Sequence, residues 1–144
     1  MRPNPVTERG SGKGGAFTDA DVTAFRFLLI ESGSLPLDLQ LSMLARLSLP
    51  IAAIIQSGGN GPHAWVKVDC ADADDYRATA KRILGALERY GFDQANKNPS
   101  RLSRLAGARR KIGAREGGEQ RLVYLNSEPT GQPIFGGEHG HGNR

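Results

Sequence analysis

The chain has 144 residues, 38% hydrophobic and only 6% aromatic, which is enough for one domain with a modest core and hardly two. Its single cysteine, Cys70, excludes an internal disulfide and any multi-cysteine zinc site, and fits a reducing, cytoplasmic setting. No run approaches the roughly 18 apolar residues of a membrane span, and the opening MRPNPVTERG has no apolar signal core, so a soluble protein is expected.

Residues 1–20 are rich in Pro, Gly and charge, and the other end, GGEHGHGNR, is equally poor in core formers. Both are expected to lack fixed structure, which leaves a core domain over 21–132 and a second tail over 133–144. The first element of that core is AFRFLLIE, Ala24 to Glu31, a short apolar run that reads as a buried strand ending on a carboxylate. LPLDLQLSMLARL then places Leu37, Leu41, Leu44 and Leu47 near helical spacing. PIAAIIQ is a second strand, and SGGNG is a glycine turn into a third, His63 to Asp69. The stretch DADDYRATAKRILGALERYGF opens with acids, carries Tyr76, Ala80, Ile83, Leu84 and Leu87 on one face and stops at Gly91, an order that suits a helix dipole and its cap. A fourth strand is expected in SRLSRLAG, followed by a hairpin whose return arm is QRLVYLN. The sum is an α+β domain of β-α-β-β-α-β order, a split βαβ arrangement with helices on one face of a mainly antiparallel sheet and an extra C-terminal hairpin.

The net charge of +4 and pI near 9.6 suit an anionic partner such as nucleic acid or nucleotide. The charge is also localised. From Lys97 to Arg121 eight cations face only Glu116 and Glu119, a surplus of six, so the rest of the chain carries a net −2. A basic segment of this kind, with Arg109, Arg110 and Lys111 at its centre, is the electrostatic footprint expected of a phosphate-binding surface.

Strand parity sorts the third strand. Ala64, Val66 and Val68 point to the helix-covered face, and His63, Trp65, Lys67 and Asp69 to the open one. Beside the histidine, Gly58, Gly59 and Gly61 let the backbone take positive φ and approach a ligand closely, and successive N–H groups in such a turn can cup an anion. With Ser57 and His63 as side-chain donors the hairpin reads as a phosphate cradle. A glycine-rich β-turn without a ligand is the plainer alternative. Trp65 on the open face can stack on a base, or can serve as an amphipathic residue on a half-covered sheet.

The hairpin SGGNGPHAWV, together with LLIESG before it and GFDQANKNPSRLSRLAGARR after it, resembles the palm domain of archaeo-eukaryotic-type primase-polymerases, as found in phage and plasmid replication. The resemblance covers about Phe25 to Leu125. It implies an RRM-like palm that binds nucleoside triphosphate and single-stranded DNA template and joins nucleotides with Mg²⁺ or Mn²⁺, and it makes a replicative helicase a candidate partner. Carried over position by position, it implies Glu31 and Asp93 as metal-binding and catalytic carboxylates. It implies Ser57, His63 and the amides of Gly58, Gly59 and Gly61 on the triphosphate, with Arg101 and Arg104 on phosphate. Trp65, Lys67, Arg109, Arg110 and Lys111 are left for the template. Arg101 and Arg104 are odd and even steps along one strand, so only one of them is expected to reach the cradle unless a bulge intervenes.

The first motif departs from the family. Glu31 matches its first acid, but the second carboxylate, two residues on and on the same strand face, is here Gly33. Two metal ions held roughly 3.5–4 Å apart need several carboxylates to balance their charge. Asp38, early in the next helix, is the nearest other acid after Glu31. The family's basic residue in the glycine turn is here Asn60. An alternative reading is therefore a catalytically weakened remnant or accessory domain that binds nucleic acid without synthesising it. An RNA-binding module of the same topology would call for paired aromatics on the central strands, and Trp65 has no obvious companion there. GSGKGG at 10–15 lacks the spacing of a phosphate-binding P-loop, Pro99 bars NPS from glycosylation, and His139 and His141 stand in the expected tail.

Overall fold

The computed structural model describes residues 1–59, 61–113 and 115–135. Its elements run β1 (Phe25–Ile30), α1 (Leu37–Arg46), β2 (Ile51–Gln56), β3 (Pro62–Cys70), α2 (Ala73–Leu87), β4 (Arg109–Ile112), β5 (Arg115–Glu119) and β6 (Arg121–Leu125). Strands β1, β3, β2 and β6 lie side by side in that order in one antiparallel sheet, while β4 and β5 form a separate hairpin. Since β3 is antiparallel to both β1 and β2, those two run parallel across it, joined by α1. That is the split βαβ unit the sequence pattern predicts.

Alternation along the strands places the core. Leu28 and Ile30 of β1, Ile54 of β2 and Ala64 and Val66 of β3 face the helices and pack with Leu44, Tyr76, Ala80, Leu84 and Leu87. The pairs Leu28↔Val66 and Ile30↔Ala64 fix the register. A one-residue slip would turn this apolar set to the other face, so the pattern itself enforces the pairing. Helix α2 is capped by Asp72, whose side chain accepts from the N–H groups of Asp74 at 3.0 Å and Asp75 at 2.9 Å. The turn that follows it ends at Gly91 with φ 87°, where a side chain would be strained.

Four features differ from the sequence expectation. SRLSRLAG is not a strand: its polar groups are used one by one, Ser100 N–H donating to Asp19 Oδ1 and Ser103 N–H to the Met1 carbonyl, so no ladder forms. Within the arm QRLVYLN, Gln120 meets that segment, accepting from Gly107 N–H at 2.7 Å and from Leu105 N–H at 2.9 Å, but the residues after Gln120 do not return along it. As β6 they join the main sheet at the edge beside β2, opposite β1, with Gln56↔Arg121 and Ala53↔Leu125 in register.

The N-terminal 20 residues, expected to be a loose tail, are held in place: Asn4 lies at the free edge of β1, and residues 5–7 pair antiparallel with 21–23 ahead of it. Asn4, 3% exposed, accepts from the N–H groups of Arg26 and Phe27 and donates to the carbonyls of Phe27 and Pro99. One amide thereby satisfies unpaired edge groups of β1 and ties the segment to the 98–104 stretch, which outweighs its weak composition. Asp21 closes the loop before β1 by accepting from Ser11 and Thr18. At the other end Ile134 packs on the core and Phe135 N–H donates to the Ala45 carbonyl, so the folded part continues past Gln132. His139, His141 and Asn60 lie outside the described residues.

Candidate functional site

Glu31 follows β1 directly, and because Ile30 pairs with Ala64 it comes opposite His63 on the face of the sheet turned away from the helices. His63 Nε2 lies 3.0 Å from Glu31 Oε2. The other ring nitrogen, Nδ1, is 3.3 Å from Ser103 Oγ, and Ser103 Oγ accepts from Trp65 Nε1 at 2.7 Å. An indole N–H can only donate, so the serine hydroxyl keeps its own hydrogen for Nδ1, which leaves Nε2–H to donate to Glu31. A directed chain results, Trp65 to Ser103 to His63 to Glu31. His63 stands on the open face as parity predicts, yet it is only 6% exposed, because the irregular 98–104 segment crosses that face through Ser103.

Both carboxylate oxygens of Glu31 are engaged. Oε2 meets His63, and Oε1 accepts from Asn96 Nδ2 at 2.9 Å with Arg101 Nη2 at 3.9 Å. The hydrogen bond from His63, aided by Asn96 and by the charge of Arg101, overcomes burial and holds the Glu31 carboxyl down at about 2. Asp93 is tethered alongside by its N–H, which donates to the Glu31 carbonyl at 2.9 Å.

The glycine turn is used differently from a bare cradle. Gly58 has the expected positive φ, 69°, but a Cβ there would lie 2.3 Å from the Gly118 carbonyl of the β4–β5 hairpin. At Gly59 it would meet Arg110 Nη1 at 1.9 Å, and at Gly61 the side chain of Gln40 and the Ser32 carbonyl. The close approach these glycines permit is therefore to the protein itself. At Gly59 the partner is a guanidinium, so the turn gathers a cation beside Ser57.

Two clefts share the Glu31–His63 pair. The larger, about 550 Å³, is lined by Arg2, Arg101, Arg104 and Ser103 besides that pair. The smaller, about 160 Å³, holds Gly33, Ser57, Gly61, Asp93, Arg104 and Arg110. Both Arg101 and Arg104 reach the larger cleft, since the segment that carries them has no strand parity to separate them. Trp65 has an aromatic companion after all: its ring centroid is 6.0 Å from that of Phe27. Lys67, exposed, pairs with Asp69 at 3.3 Å. Arg109 and Lys111 are exposed on β4, in register with Glu119 and Glu116, and line neither cleft.

Sequence reasoning did not single out Arg2, Asn4, Asn96 or Ser103. No periodicity flags them: each is a polar residue in irregular chain whose role depends on partners 15 or more residues away, as from Arg2 to Phe17.

The carboxylates do not make the set a two-metal centre needs. Among the described residues no group of three or more His, Cys, Asp or Glu side chains is placed to hold a metal ion. Glu31 already spends both oxygens on donors, and position 33 carries no side chain. No protein-family model matches the chain, and no match is found among curated proteins or solved structures. Among the described residues no helix is long and apolar enough to cross a membrane.

Proposed function

We propose that this chain is a primase-polymerase-like palm that binds the phosphate groups of a nucleoside triphosphate and a single-stranded template, with a carboxylate set too small for efficient nucleotidyl transfer. The observation that carries the reading is Glu31, the first acid of the motif. Its two oxygens are bonded to His63 and Asn96 rather than left for metal, and the residue that would be its partner is Gly33. The resemblance of LLIESG, SGGNGPHAWV and NPSRLSRLAG to the family's motifs supports the ligand class. So does the convergence of Arg101, Arg104 and Arg110 on the clefts beside His63.

In this reading Ser57, Arg104 and Arg110 hold phosphate oxygens, and Trp65 with Lys67 lies on the route of the template. The guanidiniums supply bidentate, charge-assisted donors, the strongest hydrogen bonds available to a phosphate. The test is to incubate the chain with single-stranded template, labelled nucleotides and Mg²⁺ or Mn²⁺, and to measure nucleotide binding by titration in parallel. Binding with little or no extension is expected. Rapid Mg²⁺-dependent synthesis overturns the weakened-site part, and absence of nucleotide and template binding overturns the whole.

A further inference from the structure

We infer that Arg2, Arg101 and Arg104 form a three-arginine seat for a multiply charged phosphate, and that Arg2, delivered by the N-terminal segment, is one of its binding residues. The inference rests on the phosphate-binding reading above and adds to it a residue and a part of the chain that no motif implicates.

The charge balance of the larger cleft favours an anion. Three guanidiniums line it against one carboxylate, Glu31, which bonds to His63 and Asn96 and lies 3.9 Å from Arg101, so the charges of Arg2 and Arg104 are not balanced by a carboxylate of the lining. Hydrogen bonding is incomplete in the same place. Among the described residues the Nε–H groups of both Arg2 and Arg104 are shielded from solvent and have no hydrogen-bond acceptor. A shielded donor on a cation is costly when unpaired, and the two arginines that carry one both line this cleft, where a small turn of each side chain brings the donor to an oxyanion. The volume, about 550 Å³, admits a triphosphate or a short stretch of nucleic-acid backbone.

The position of Arg2 is built, not incidental. Its guanidinium lies over the Phe17 ring at 4.9 Å. Asn4, two residues on, bonds to both β1 and Pro99, and Ser103 N–H donates 2.7 Å to the Met1 carbonyl. The first residues are thus pinned on both sides of Arg2 to the stretch that carries Arg101 and Arg104. A planar fork held this way loses little freedom on binding, which favours phosphate over a singly charged anion.

The ligand chemistry, a phosphate oxyanion, has two sources: the triphosphate of a nucleotide or the phosphodiesters of the template. The experiment titrates the full chain and its Arg2→Gln variant by calorimetry with inorganic tripolyphosphate, with ATP and with an oligothymidylate at about 0.1 M salt, where exposed charges are largely screened. Arg2→Gln is expected to weaken at least one of these by about tenfold or more, the loss of a charge-assisted hydrogen bond. Equal losses for tripolyphosphate and ATP place a nucleotide's phosphates in the seat, and a loss confined to the oligothymidylate places the template there. Should Arg2→Gln melt early, Arg2→Lys keeps the charge without the fork and is expected to bind between the two. If the parent binds these probes and both variants bind as tightly, the seat is refuted while the phosphate-binding reading stands. If the parent binds none of them, both fall.

Discussion

Glu31 and His63 face each other across two antiparallel strands with 3.0 Å between Oε2 and Nε2, and that contact holds the Glu31 carboxyl at about 2, against 4.5 for a free one. A carboxyl whose folded value lies below its unfolded value contributes stability that is complete above the unfolded value and disappears as pH falls through the folded one. The contribution of Glu31 is therefore expected to vanish between about pH 4.5 and about pH 2. In melting curves across that range, Glu31→Gln should lose less stability on acidification than the parent. Parallel curves for the two proteins would show that the pair adds nothing to the fold.

His63→Ala removes a ring bonded on both sides. Both ring nitrogens are committed to Ser103 and Glu31, so triphosphate binding should weaken indirectly, because an unpaired Glu31 carboxylate is left facing the cleft that takes the phosphates. The variant should also melt earlier, because Ser103 Oγ and Glu31 Oε2 are each left one partner short in a poorly solvated place. Titration with nucleotide and a melting curve read the two effects separately. Unchanged nucleotide affinity would remove His63 from the binding site.

Legibility in the sequence followed regularity of structure. The apolar alternation of β1 and β3 and the helical spacing from Tyr76 to Leu87 fixed the split βαβ core, because each residue's burial is decided by its own element. Parity likewise put His63 on the open face, where the register of β1 and β3 sets Glu31 opposite it. What could not be read was set by bonds between distant, irregular stretches. Ser103 bridges Trp65 and His63, Asn4 closes the β1 edge, and the backbone bonds of the 98–104 segment leave no ladder for the strand expected there. Phe27 was hidden differently. It is an ordinary strand residue, and only the register, which sets Phe27 opposite Lys67 and Leu29 opposite Trp65, brings its ring near the indole as a diagonal neighbour.

Gly58 and Gly59 separate folding from binding within the glycine turn. Gly58→Ala meets the Gly118 carbonyl at 2.3 Å with φ at +69°, and backbone cannot swing aside. A loss of about 1–3 kcal/mol in stability is expected, the range for a side chain forced into a sparsely populated region. Gly59→Ala meets the far end of Arg110, which can move. Its stability should change little while phosphate affinity falls, because the guanidinium leaves its place beside Ser57. Equal melting temperatures for the Gly58 variant and the parent would contradict the packing of the β4–β5 hairpin on the turn.

The basic hairpin makes a prediction about salt. Arg109, Arg110 and Lys111 belong to the segment that carries the chain's positive surplus, and neutralising all three should flatten the dependence of log affinity for single strands on log salt by roughly 0.7 for each phosphate they pair with. Arg110 lines the smaller cleft, whereas Arg109 and Lys111 line neither, so the single variant Arg110→Gln should account for most of any change in triphosphate affinity and only part of the salt effect. Fluorescence anisotropy with an oligonucleotide at several salt concentrations reads the slope. An unchanged slope in the triple variant would leave these residues as solvated surface.

Gly33 decides between a weak site and an active one. A Cβ built there meets only Asp93 Oδ2, at 3.8 Å, which is ordinary van der Waals distance, and the residue does not have a positive φ. Gly33→Asp is therefore expected to fold without strain and to set a second carboxylate beside Asp93 in the smaller cleft, two residues from Glu31. Clustered carboxylates raise affinity for a divalent cation and repel one another without it. The variant should bind Mn²⁺ more tightly than the parent, melt slightly earlier in chelator, and regain that loss when Mn²⁺ is added. With the charge of a divalent ion placed where phosphoryl transfer needs it, template-directed synthesis should rise above the parent's level. A variant that folds normally but gains neither Mn²⁺ affinity nor synthesis would show that the missing carboxylate is not what limits this site. Robust synthesis by the parent itself would mean that Glu31 exchanges His63 for metal and that another acid, with Asp38 the first to test, completes the set.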